Sequence, residues 1–136
     1  MDQQQMMQQY QQIQQQIEQV QQFVEQIEKN VQEIDQTIDA VNNLENMEEG
    51  NQMLARLGSG VLVVGELKDS ENVVTNIGGD NFEKQSLEDT EEVLQGRKND
   101  LEDTREELTS TLNELQQQMQ QIQQELQKQQ MQQQGE

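Results

Sequence analysis

The sequence predicts a mainly α protein: a long antiparallel two-helix coiled coil interrupted by two central β-hairpins, whose sheets close with those of other subunits around a shared axis. Three observations carry this. Only 30% of the 136 residues are hydrophobic and 2% aromatic, too few for an ordinary globular core, so an elongated molecule is expected. Two glutamine-rich halves carry their apolar residues at heptad spacing. Between them a short segment abandons glutamine for valine, leucine, threonine and glycine. These changes of grammar set the expected boundaries: an N-terminal coiled-coil helix over 1–48, a double-hairpin oligomerisation region over 49–85, and a C-terminal coiled-coil helix over 86–136 with a frayed, Gln-rich end.

In the first half, Met6, Tyr10, Ile13, Ile17, Val20, Val24, Ile27, Val31, Ile34, Ile38 and Val41 alternate steps of four and three without a slip. Composition alone would read the glutamine tracts as low complexity, but a sustained heptad is the stronger signal. Tyr10, Ile17, Val24, Val31 and Ile38 fall at position a, and Met6, Ile13, Val20, Ile27, Ile34 and Val41 at d. Glu45 and Glu48 take the next seam positions, so the stripe ends near Leu44. The second half has one unbroken seven-residue ladder at d, Leu87, Leu94, Leu101, Leu108, Leu115 and Ile122, with Glu91, Lys98, Arg105, Leu112, Met119 and Leu126 at a. Gln, Glu, Leu and Lys favour helix and the chain has no proline, so each half should run unbroken for roughly 40 residues, about 60 Å.

Two stripes of this kind bury each other if the chain folds back. An antiparallel register pairs Tyr10 with Ile122, Ile13 with Met119, Ile17 with Leu115, Val24 with Leu108, Val31 with Leu101 and Ile38 with Leu94. The expected core therefore includes Ile13, Ile17, Val20, Val24, Val31, Ile38, Leu94, Leu101, Leu108, Leu112 and Leu115. Nearer the connection three layers are mixed, with Ile27 facing Arg105, Ile34 facing Lys98 and Val41 facing Glu91; long basic stems lie along such a seam while their heads reach acidic neighbours. Stability is therefore expected to concentrate in the half farther from the connection. The competing arrangement is a coiled-coil dimer with the middle as a spacer.

Residues 53–84 carry β-rich runs bounded by Gly58-Ser59-Gly60, by the turn at 68–72 and by Gly78-Gly79-Asp80-Asn81, predicting strands near 53–57, 61–67, 72–77 and 81–85. A lone two-stranded hairpin is marginal in water, so these strands must recruit a neighbour. Leu57, Val61, Val63, Leu67, Val73, Val74 and Ile77 are the expected oligomerisation residues. The plainer alternative, hairpins that merely cap the coil of a monomer, leaves Val61, Val63, Val73 and Ile77 as an aggregation hazard.

Charge and residue types narrow function further. A formal net charge of −19 repels nucleic acid and anionic membranes. There is no His and no Cys, no Gly-Lys-Ser/Thr follows the glycines, and acidic runs such as Glu48-Glu49 and 100–103 lack calcium-loop spacing. No catalytic residue, metal ligand or cofactor site is expected, and the chain does not read as an enzyme. Without a basic-then-apolar leader or a long apolar run, it reads as soluble and intracellular.

The middle segment resembles the alpha class of the prefoldin family. The resemblance rests on Leu57-Gly58-x-Gly60, Gly65-x-Leu67, an acidic turn, and Val73-Val74-x-x-Ile77-Gly78-Gly79 leading through Phe82 and Glu83 into the second helix. Two hairpins rather than one mark the alpha class. The chain departs from the pattern near Arg56, where a proline is common, and at Asp80-Asn81, where an aromatic is usual. The resemblance implies a cytoplasmic hexamer of two alpha and four beta-class prefoldin subunits, with a double β-barrel body and six coiled-coil arms around a cavity. It implies an ATP-independent chaperone that captures unfolded polypeptides with its arm tips and hands them to a group II chaperonin. The two-class form resembles archaeal assemblies, and the acid excess would suit a high-salt cytoplasm.

On that basis the expected client-binding residues are Met1, Met6, Met7, Tyr10, Met119, Ile122, Leu126 and Met131, gathered by the register at the coil end. Coil ends fray, and methionine adapts to irregular apolar surfaces. The bland reading keeps Tyr10, Met119, Ile122 and Leu126 as ordinary seam residues, and treats the glutamines as drift on exposed positions. A structural coiled-coil tether without unfolded-protein binding is the alternative function, and an accessory subunit of an enzyme a third.

Overall fold

A computed structural model describes residues 2–134. Helix α1 (Gln3–Leu44) is followed by strands β1 (Gln52–Gly58), β2 (Val61–Glu66), β3 (Asn72–Gly78) and β4 (Asn81–Ser86), and then by helix α2 (Leu87–Gln134). The strands form two separate antiparallel pairs, β1 with β2 and β3 with β4. The mainly α class with two central hairpins is therefore as the sequence predicts, and each strand begins and ends within about a residue of its expected place. Among the described residues no helix is long and apolar enough to cross a membrane.

Both helices start on side-chain caps. Asp2 Oδ1 accepts from the Gln5 amide at 2.7 Å, and Ser86 Oγ accepts from the Asp89 amide at 3.1 Å, each supplying a partner to an otherwise orphaned N–H. Glu88 and Asp89 add negative charge to the first turn of α2, where the helix dipole favours it. At the end of α1 the backbone tightens, with Glu45, Asn46 and Met47 donating to carbonyls three residues earlier.

The glycine turns have definite jobs. Ser59 and Gly60 between β1 and β2 both have positive φ, 51° and 80°, the requirement of a type I′ hairpin turn. Between β3 and β4 only Gly79 of the two central residues does, the type II′ pattern. Asn76 ties this second turn from both sides: its Oδ1 accepts from the Gly78 amide and its Nδ2 donates to the Gly79 carbonyl, both at 2.9 Å. Each hairpin is also bulged one residue before its turn, at Leu57 and at Ile77.

The chain divides into two compact units. In one, Met1–Val31 runs with Asp100–Glu136. Met6, Ile13, Ile17, Ile27 and Val31 are its buried residues, all seam positions on α1, and Met6 is the most enclosed at 1% exposure. Here α2 runs opposite to α1, since Tyr10 lies near Gln123 and Leu126 while Ile13 lies near Gln118 and Ile122.

The other unit, Gln32–Asn99, holds the hairpins and the adjoining helix segments. Val41, Leu87 and Leu94 form a buried cluster against which Ile34, Ile38, Leu44 and Val73 pack. The sequence expects stability to concentrate in the other unit, which holds five of the eight buried apolar side chains among the described residues; this unit nonetheless holds a compact cluster of its own. Leu44 and the strand residue Val73 add apolar surface here that the a/d tally omits. Lys98, at a seam position and largely buried, sends its Nζ to Asp35 Oδ1 at 2.7 Å, its head on an acid.

Candidate functional site

The two hairpins differ in how they are held. Every residue of β1 and β2 is exposed. Their pairing sets Met53, Ala55, Val63 and Gly65 on one face and Leu54, Leu62 and Val64 on the other, the latter fringed by Gln52, Arg56 and Glu66. One face is thus apolar throughout and the other apolar at its centre, with nothing of the described chain covering either. The base of this hairpin is fastened only by backbone bonds, Gly50 N–H to the Leu67 carbonyl and Leu67 N–H to the Asn51 carbonyl.

The second hairpin is docked on one side. Val73 reaches the apolar cluster, and the buried Thr75 hydroxyl lies 3.0 Å from the Thr90 hydroxyl of α2. Arg97 Nη2 donates to the Asn76 carbonyl. The opposite face presents Val74, 68% exposed, and Phe82. The approach to β3 is fixed by Asp69, which accepts from the amides of Glu71 and Asn72 and pairs with Lys84 Nζ at 3.3 Å. These bonds, the Glu71 N–H first, hold the Asp69 carboxyl down at about 2.

Of the expected oligomerisation residues, Leu57, Val61, Val63, Val74 and Ile77 are exposed, with Leu57 at the bulge 68% so. Leu67 is half-buried, and Val73 is turned inward against its own chain. Leu54, Leu62, Val64 and Phe82 are exposed to a similar degree, though absent from the sequence-based set. Strand alternation carries that signal, since Leu54, Leu62 and Val64 share a face once the register is drawn.

At the coil end, the expected client-binding residues separate into three states. Met7 and Met131 are exposed, Tyr10, Met119, Ile122 and Leu126 are half-buried in the seam, and Met6 is buried and presents nothing while the coil is closed. Met1 lies outside the described residues. Met7, Tyr10, Gln11, Gln14, Gln123 and Leu126 line a groove of about 370 Å³ on one flank. Gln9, Ile13, Gln118, Gln121, Ile122 and Glu125 line one of about 330 Å³ on the other. The glutamines among them are not in the sequence-based set, for no periodicity singles them out.

A coiled coil carrying two hairpins, one with both faces bare, defines a class of protein built as a subunit, whose sheet surface is finished by other chains. The family model described as prefoldin subunit matches residues 4–132. The chain belongs to the prefoldin family, whose members are chaperone subunits. A curated relative named prefoldin subunit alpha, from Halorubrum lacusprofundi, is 37% identical over 62 residues, 46% of this chain. That match spans 40% of the relative's length. Filamentous PFD from Methanocaldococcus jannaschii, solved by cryo-EM, shares the fold at a TM-score of 0.77 and 18% identity, over 83% of this chain and 93% of that one.

Proposed function

We propose that this chain is the alpha subunit of an ATP-independent, cytoplasmic holding chaperone, assembled as two alpha with four beta-class prefoldin subunits, that captures unfolded proteins at its coil ends and passes them to a group II chaperonin. In this reading residues 49–85 form the assembly region, their strands entering an intersubunit β-barrel, and residues 1–48 and 86–136 form the arm. Met7, Tyr10, Leu126 and Met131 meet the client in the closed coil. Met1, Met6, Met119 and Ile122 join them as the last layers open. The chain performs no catalysis and takes no nucleic acid.

The observation that carries the reading is the apolar hairpin β1–β2, exposed along its whole length in a chain with so little apolar residue to spare. A tether has no use for such a sheet, whereas a multi-arm holder requires one. The test is removal of residues 1–9 and 120–136, followed by aggregation assays of a denatured client with the assembled complex. Protection should be lost while assembly is kept. Unchanged protection, or saturable binding to one folded partner and none to unfolded chains, would favour the tether.

A further inference from the structure

We propose that the groove between Met7, Tyr10 and Leu126 seats an uncharged apolar segment of an unfolded polypeptide, that Gln11, Gln14 and Gln123 bind the backbone of that segment, and that the opposite flank takes no part while the coil is closed. This rests on the chaperone reading above and adds the side, the contacts and the chemistry of the occupant.

Met7 is the first support. The seam uses Met6 and Tyr10, so Met7 falls just off it, and its side chain is 53% exposed with no duty in closing the coil. With the half-buried Tyr10 and Leu126 it gives the groove an apolar floor, and the volume of about 370 Å³ falls in the range of ligand-holding clefts. On the opposite flank the apolar residues are Ile13, which is buried, and Ile122, which is half-buried, and the rim carries the Glu125 carboxylate. That flank offers a client less apolar surface and one charge.

Charge supplies the second. The chain has a formal charge of −19, yet over residues 2–22 and 112–134 the charged side chains are Asp2, Glu18, Glu114, Glu125 and Lys128 alone. None of them lines the Met7 groove. A client charge desolvated there finds no counterion, so charged segments are rejected and neutral ones admitted. Glutamine completes the site because its amide both donates and accepts. An unfolded segment arrives with unpaired backbone N–H and C=O groups, and amides beside an apolar floor satisfy them whatever the side-chain sequence. Glutamate in the same places would accept but not donate and would add charge.

The test uses the complex assembled with its beta-class partners and an acetylated, amidated peptide of leucine, alanine and serine without charged side chains, titrated calorimetrically. Met7→Glu and Gln123→Glu place a carboxylate on the groove, while Gln9→Glu and Gln121→Glu place the same charge on the other flank. Met7→Glu should raise Kd about tenfold or more and Gln123→Glu several-fold, with both controls within about twofold of wild type. Gln123→Glu covers any misfolding of the Met7 variant, since it exchanges an exposed amide for its acid. Raising KCl from about 0.1 M to about 1 M should leave the wild-type affinity unchanged or tighter, because no ion pair is being screened. Equal effects on both flanks, or an affinity lost in salt, would overturn the assignment even if the wild-type complex protects unfolded proteins. A wild-type complex that protects none overturns the functional reading itself.

Discussion

The hydroxyls of Thr75 on β3 and Thr90 on α2 lie 3.0 Å apart in a buried pocket, the one side chain to side chain hydrogen bond between strand and helix among the described residues. It joins residues fifteen positions apart and, with the Arg97 contact to Asn76, sets the second hairpin on α2. Thr75→Val or Thr90→Val alone leaves a buried hydroxyl without its partner and should cost about 1–3 kcal/mol in urea unfolding. The double replacement should cost less than the two singles together, because no polar group is then stranded.

Lys98 occupies a seam position and reaches Asp35, its side chain largely buried while that of Asp35 is about half exposed. Lys98→Met keeps an unbranched stem in the seam and frees Asp35 to solvent, so it should stabilise the chain by about 1 kcal/mol. Asp35→Ala, which removes the carboxylate 2.7 Å from the ammonium, should instead destabilise. Paired thermal melts at matched salt distinguish the two directions.

Asp69 should titrate by carbon-detected NMR with a midpoint at about 2, below its ordinary 3.8. Since the folded value is the lower, the contribution of this carboxylate is complete above the ordinary value and fades as pH falls through about 2. Asn72→Ala removes a side-chain donor and should move the midpoint upward, and Lys84→Ala should move it in the same direction by less.

Val63 lies exposed on the wholly apolar face of the first hairpin, opposite the small side chain of Ala55. Val63→Glu should therefore leave helicity and the melting of the isolated chain nearly unchanged, within about 0.5 kcal/mol. The proposed assembly with beta-class partners should fail, read as loss of the highest mass in sedimentation or native mass spectrometry.

The local devices of this fold were legible in the sequence. Heptad spacing located both helices, and Gly58-Ser59-Gly60 and Gly78-Gly79 located the hairpin turns, because each acts within a few residues of itself. Leu44 as the end of the apolar stripe is likewise the last residue of α1. What sequence could not supply was how the second hairpin meets the helices. Val73 turning inward, Thr75 meeting Thr90 and Arg97 reaching the β3 backbone follow from how one hairpin leans on the coil, and no period records that. Met6 is the complementary case: its d position announces the burial found in the closed coil, while its residue type suggests a grip that only opening would expose. In the groove, Tyr10 and Leu126 were readable from the register, but Gln14 and Gln123 were indistinguishable from the other glutamines around them.

The first hairpin leaves the chain dependent on company. A copy made in excess of its mates carries an open-edged, greasy ribbon that the rest of the molecule cannot hide, and mass action sets its fate. Under the proposed assembly, balanced synthesis of the companion polypeptides is then the condition for keeping this ribbon covered.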